Sequence, residues 1–104
     1  MSKRLEMLEK LLAEGKADSF ARYALAMEYR KLGRLEDALG VFTALREVDA
    51  RYLPQYLMAG QILLELRRLD EARAWLEQGM TVAREQGDSR TLGELESALR
   101  EAID

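Results

Sequence analysis

Charged pairs are the residues of this sequence with the clearest capacity for chemistry. The chain contains no histidine and no cysteine, so the commonest metal ligand and the most nucleophilic side chain are both missing. Two acidic pairs remain, Glu36-Asp37 and Asp70-Glu71, together with two basic pairs, Arg30-Lys31 and Arg67-Arg68. Neighbouring carboxylates can bind a metal ion or act as acid and base, and clustered basic groups can bind phosphate or an acidic peptide.

Helix electrostatics explains these pairs more simply. Each acidic pair comes at the start of a predicted helix, where the helix dipole favours a negative charge by roughly 0.3 to 1 kcal/mol. The basic pairs come at the predicted ends of the preceding helices, where the dipole favours positive charge. We therefore interpret the acidic pairs as helix-start residues, and a phosphate or acidic-peptide site at the basic pairs stays open as the alternative.

Catalysis by side chains has few candidate groups in this chain. Its serines lie near a terminus, at a helix start or on an outer helix face: Ser2, Ser19, Ser89 and Ser97. The sequence has no glycine-rich phosphate loop, no dinucleotide fingerprint and no calcium-binding loop. We therefore expect no enzymatic activity, no cofactor and no metal site. The alternative that stays open is an enzyme that uses an acid and base pair formed by side chains of the helical fold.

Composition and charge limit the class of partner and the location. With 16 basic and 19 acidic residues the net charge is −3, which would repel a phosphate backbone, so we expect no nucleic acid partner. No apolar run approaches membrane-spanning length, and the N-terminus lacks the apolar stretch of a signal peptide, so we expect no membrane association. The absence of cysteine fits a reducing compartment, and we expect a cytoplasmic protein.

The chain repeats itself with a period of 34 residues. Residues 32–38 and 66–72 carry apolar, basic, apolar, acidic, acidic and alanine positions in the same order. Helix-favouring residues dominate and the only proline is Pro54, so we expect helices and no sheet. Apolar residues spaced three and four apart predict six helices, at residues 2–14, 18–32, 35–48, 53–66, 69–86 and 88–103.

The repeated positions resemble the tetratricopeptide repeat, a helix hairpin of 34 residues. The matching residues are Leu25, Ala26, Tyr29, Ala38 and Phe42 in the first unit and Tyr56, Gly60, Ala72 and Leu76 in the second. The sequence departs from the family pattern at Arg22, where tryptophan is usual, and at Ala50, where proline is usual. The resemblance implies an all-α fold, an α-α superhelix (solenoid) of helix hairpins, and a function in protein binding.

The same period divides the whole chain. We expect one domain over residues 1–104, with a half repeat at 1–16, repeat one at 19–52, repeat two at 53–86 and a capping helix at 88–103. The capping helix carries one apolar stripe, which suits a terminal helix that covers the exposed end of a repeat core.

A second apolar stripe on the first helix of each repeat indicates where a partner would bind. The stripe is separate from the one that packs within the repeat, and the resemblance implies that it lines a mostly apolar concave groove for a peptide. The candidate partner-binding residues are Phe20, Tyr23, Met27, Arg30, Lys31, Leu57, Gln61 and Leu64.

Two alternatives to peptide binding stay open for this stripe. A homodimer could close through the same surface, or Phe20, Tyr23 and Leu57 could pack against neighbouring helices. Members of the family that grip a terminal carboxylate use lysine and asparagine. This chain contains no asparagine and has Tyr23 and Met27 in the groove, so we do not expect that specificity here.

Overall fold

The computed structural model describes residues 2–103, and within that range the chain forms helices and no strand. The helices are α1 (Lys3–Ala13), α2 (Ser19–Lys31), α3 (Leu35–Val48), α4 (Pro54–Glu65), α5 (Leu69–Gln86) and α6 (Ser89–Ile103). Each observed boundary falls within one residue of the predicted one, because caps and turn residues mark the ends in the sequence. The all-α helical repeat fold is confirmed.

Acidic and hydroxyl side chains cap the starts of three helices. The Ser2 side chain accepts the backbone N–H of Leu5 at 3.1 Å, and the Asp18 carboxylate accepts that of Ala21 at 2.8 Å. Asp88 accepts both the backbone N–H and the hydroxyl of Thr91, and these bonds hold the pKa of Asp88 below its usual value. Such caps satisfy N–H groups that have no partner inside the helix. They fix where α1, α2 and α6 begin.

The chain divides into two compact units, with unit 1 ending at Tyr52 and unit 2 beginning at Leu53. In unit 1, α2 packs against both α1 and α3. Leu25 and Ala26 of α2 are buried, as are Phe42 and Leu45 of α3, and all but Leu45 are residues that match the repeat pattern. Leu32 follows the last residue of α2 and is 49% exposed.

The α1 helix is attached to α2 by a polar network as well as by the buried Leu5 and Leu8. The Tyr29 hydroxyl donates a hydrogen bond to the Glu9 carboxylate at 2.5 Å, and this bond, together with burial and the charge of Glu9, raises the pKa of Tyr29 from 10.0 to about 12. The Arg34 guanidinium lies 4.5 Å from the centre of the Tyr29 ring. The tyrosine therefore contributes both apolar packing and a charge-assisted hydrogen bond.

Unit 2 has α5 packed between α4 and α6, and α4 also contacts α6. Two glycines allow the close helix approach. A Cβ atom at Gly79 would lie 2.5 Å from the Cβ of Tyr56 and 3.0 Å from Leu95, and a Cβ at Gly60 would collide with Leu76. These contacts give the small-residue positions of the repeat a steric reason.

Both repeats turn between their helices in the same way. In the first, the N–H groups of Gly33 and Arg34 donate to the carbonyls of Arg30 and Tyr29, and Gly33 has a φ of 78°. In the second, Arg67 occupies the glycine position with a φ of 61°. The prediction that Arg67 and Arg68 end α4 is therefore wrong in detail, since α4 ends at Glu65 and both arginines lie beyond it.

No helix within residues 2–103 combines the length and the apolar character needed to cross a bilayer.

Candidate partner-binding faces of α2 and α4

The acidic pairs lie in the first turns of α3 and α5, as predicted. Asp37 accepts a hydrogen bond from Arg34 at 2.8 Å, and Glu71 pairs with Arg68 at 2.5 Å. In both repeats the arginine precedes the helix and the carboxylate lies in its first turn, so the pairs stabilise helix starts. Over residues 2–103, no three acidic side chains gather into a group suited to a metal ion.

The second apolar face of α2 carries Phe20, Tyr23 and Met27. Their spacing of three, four and seven residues places them along one side of the helix, away from the buried Leu25 and Ala26. Phe20 is 63% exposed, and Met27 is half-buried. An aromatic side chain of that exposure adds little to the core of its own unit. This face of α2 is therefore available for further contact.

Tyr23 differs from Phe20 because it packs inside unit 1. Its ring lies 6.0 Å from that of Phe42 and 5.6 Å from that of Tyr52, both in tilted arrangements. Burial raises the pKa of Tyr23, and the charge of Arg30 opposes that shift. Tilted aromatic pairs at such distances are favourable, so Tyr23 contributes to the packing of α2 on α3. Tyr23 therefore packs against a neighbouring helix, which is one of the alternatives that the sequence had left open for it.

Two residues near this face were missed by the sequence interpretation. Tyr52 packs on Tyr23, and burial raises its pKa. Asp49 accepts a hydrogen bond from the Ser19 hydroxyl at 2.6 Å and so connects the start of α2 to the end of α3. Both residues lie in the loop between α3 and α4, and no rule of helical spacing relates a loop residue to a face of α2.

The basic end of the α2 face consists of Arg30 and Lys31, both in the last turn of the helix. Arg30 is half-buried and lies near Tyr23, where its charge acts on the tyrosine hydroxyl. Lys31 is exposed. The face therefore changes along its length from apolar at Phe20 to positively charged at Lys31.

The corresponding α4 residues are less accessible. Leu57 is 8% exposed and counts among the buried core residues, while Gln61 and Leu64 are half-buried. Little of the Leu57 surface is left for a partner. Of the candidate residues, Phe20 and Lys31 are the two that are exposed. On α4, only part of the Gln61 and Leu64 side chains is accessible to a partner.

Comparison with known proteins identifies the repeat. The tetratricopeptide repeat family matches residues 56–86, which lie in unit 2. A tetratricopeptide repeat domain protein from Salinibacter ruber, solved as a crystal structure, is 40% identical in sequence with a TM-score of 0.78, over 83% of this chain and 97% of that one. The chain belongs to the tetratricopeptide repeat family.

Two further solved structures are similar to this chain in fold. The solution structure of the Salinibacter ruber domain has 40% identity and a TM-score of 0.77 over 82% of this chain and 86% of that chain. A solution structure of a Bordetella parapertussis protein is 27% identical, with a TM-score of 0.83 over 99% of this chain and 90% of that chain. No curated protein gives a significant match. Tetratricopeptide repeat proteins are in general protein-interaction modules and scaffolds, and they are generally not enzymes.

Proposed function

We propose that this tetratricopeptide repeat protein is an adaptor that binds a partner polypeptide through the second face of α2. The observation that carries the proposal is Phe20, an aromatic residue that is 63% exposed and lies on the same face of α2 as the half-buried Met27. Aromatic residues and methionine are enriched at protein interfaces. Each such side chain that a partner buries contributes roughly 1.5 to 3 kcal/mol, so two of them support a specific if modest affinity.

The remaining candidate residues have graded roles in this proposal. Arg30 and Lys31 form the charged end of the α2 face, and Tyr23 holds the face in place through Phe42. On α4, the half-buried Gln61 and Leu64 offer part of their surface to a partner, and the buried Leu57 offers little. The proposal includes a cytoplasmic protein that binds neither nucleic acid nor membrane, which cell fractionation and binding to vesicles or DNA would check.

The test replaces the exposed anchor and compares it with an equally exposed apolar residue elsewhere. We expect Phe20→Ser to lower the affinity for a captured and purified partner by about tenfold, from the loss of one buried aromatic side chain. Val48→Ser is the control, since Val48 is 64% exposed at the end of α3 and lies outside the candidate set. Isothermal titration measures both. Equal affinity of the parent and the Phe20→Ser variant would contradict the proposal.

The alternative use of this face, a homodimer, is decided by the same variants. The exposed Phe20 would then pack against a second copy of the chain. Sedimentation equilibrium over a range of concentrations gives the mass. A parent dimer that becomes monomeric in the Phe20→Ser variant and not in the Val48→Ser variant would favour the homodimer over the adaptor.

A further inference from the structure

Three exposed or partly exposed side chains of α2 lie nearly in line along the helix. Phe20, Met27 and Lys31 are separated by seven and four residues, close to whole numbers of helical turns. At 1.5 Å per residue, Phe20 and Met27 are about 10 Å apart along the axis, and Met27 and Lys31 about 6 Å. A segment lying along α2 would therefore meet two apolar groups and then a positive charge.

Lys31 is distinguished from the neighbouring basic residues by its surroundings. Arg34 is paired with Asp37 at 2.8 Å, and Arg4 is paired with Glu28, the acid one turn before Lys31, at 3.1 Å. Lys31 itself is exposed, and no carboxylate of residues 2–103 forms an ion pair with it. The ammonium group thus lies at the end of an apolar face with its charge uncompensated by the described chain.

The second repeat lacks this arrangement. The position 34 residues after Lys31 is Glu65, and the position 34 residues after Met27 is Gln61. The corresponding face of α4 therefore ends in a negative charge and has an amide in place of the thioether. A ligand that suits the α2 face would be repelled at the equivalent end of α4.

We infer that the α2 face binds a polypeptide segment in which two apolar side chains are followed by an acidic one, with the acidic group at Lys31. The inference rests on the proposed function, and it adds the chemistry and the direction of the bound segment. Charge complementarity selects the acid, because an exposed lysine without an internal partner attracts a carboxylate and repels a basic group. The contacts with Phe20 and Met27 bury apolar surface, and the charge of Lys31 fixes the position of the bound segment along α2.

The spacing along α2 defines the probe. A segment in the polyproline II conformation has three residues per turn and rises about 3.1 Å per residue, so its first, fourth and seventh side chains share one face, with the first and fourth about 9 Å apart. We therefore use a seven-residue acetylated and amidated peptide with leucine at its first and fourth positions, glutamate at its sixth and seventh, and serine elsewhere. Its matched twin has lysine in place of both glutamates.

Binding is followed on the full chain labelled with nitrogen-15, by titrating each peptide and recording amide shifts at low salt. We expect the acidic peptide to bind at least threefold more tightly than its basic twin, with the largest shifts at Phe20, Met27 and Lys31. Lys31→Glu should reverse that preference. Lys10→Glu should retain it, since Lys10 is an exposed lysine in the last turn of α1 and carries the same helix-end cost.

Each outcome bears on the inference. Equal affinity of the two peptides, an unchanged preference in Lys31→Glu, or shifts confined to other helices would overturn it. Failure of both peptides, while Phe20→Ser still weakens a captured partner, would overturn the acidic segment and leave the adaptor function standing. Failure of both peptides with no effect of Phe20→Ser would remove the proposed function as well. Should Lys31→Glu unfold the protein, Lys31→Gln should abolish the preference between the peptides without reversing it.

Discussion

At the scale of single residues, the turns of the two repeats differ in one position. Gly33 and Arg67 both have positive φ angles, of 78° and 61°, and their neighbours make the same backbone hydrogen bonds. A residue with a Cβ atom in this conformation loses roughly 1 kcal/mol or more relative to glycine. Arg67 in the second repeat therefore adopts a backbone conformation that is unfavourable for a residue other than glycine.

Exchanging these residues should change stability in opposite directions. We expect Arg67→Gly to raise the free energy of unfolding by about 1 kcal/mol, because glycine removes the left-handed strain. Gly33→Arg should lower it by a similar amount, and nothing crowds the Gly33 Cβ position to complicate the comparison. Urea denaturation measures both variants. A destabilised Arg67→Gly would show that the arginine side chain has contacts that outweigh the strain.

The Tyr29 hydroxyl gives a second prediction at this scale. Folding raises its pKa from 10.0 to about 12, mainly through the hydrogen bond to Glu9. A raised folded pKa stabilises the fold fully below pH 10 and loses that contribution as the pH rises toward 12. We therefore expect the stability difference between the parent and Tyr29→Phe to shrink as the pH rises between those values. Thermal melts at steps of pH measure it, and a constant difference would contradict the assignment.

At the scale of helices, glycine residues separate steric need from helix propensity. Gly79 of α5 has Tyr56 and Leu95 against its Cα, whereas Gly93 of α6 has open space at the same place. We expect Gly79→Ala to destabilise the protein by roughly 1 to 3 kcal/mol, since α4 and α6 must move away. Gly93→Ala should stabilise by up to about 1 kcal/mol through helix propensity. Denaturant unfolding of the two variants should give opposite signs; a destabilised Gly93→Ala would count against this contrast.

The capping helix is the second element whose removal is informative. The side chains of Leu95, Ala98 and Ala102 on α6 are buried, and α6 packs on α5 and α4. Ending the chain after Gly87 should expose those apolar contacts and lead to aggregation or a lower melting temperature. Light scattering and thermal melts check this. A soluble monomer with unchanged thermal stability would show that α6 is no cap.

At the scale of the whole molecule, the prediction of a single domain over residues 1–104 concerns cooperativity. The only tryptophan, Trp75, lies in unit 2, where its ring packs 5.7 Å from that of Tyr56. Its fluorescence reports on unit 2, and far-ultraviolet circular dichroism reports on all helices. We expect the two melting curves to coincide, as they do for a cooperative domain. Separate midpoints would mean that unit 1 and unit 2 unfold independently, as some repeat arrays do.

The amino-acid sequence by itself determined the helices, their boundaries and the family. These follow from local rules, since Asp18 and Asp88 cap helices, Gly33 ends a turn and apolar residues recur at helical spacing. Helix caps, turns and apolar spacing depend on residues within one or two turns of each other, so they can be read from the order of residues along the chain.

Accessibility was decided only by the tertiary structure. Phe20 and Tyr23 lie on one face by spacing, yet Phe20 is 63% exposed while Tyr23 packs on Phe42 and Tyr52. Leu57 was a candidate contact and is buried. Burial of a residue depends on which side chains of other helices reach it, and Tyr52 reaches Tyr23 from a loop that periodicity does not describe. The same holds for Lys31, whose uncompensated charge became visible only once the partners of Arg4 and Arg34 were known.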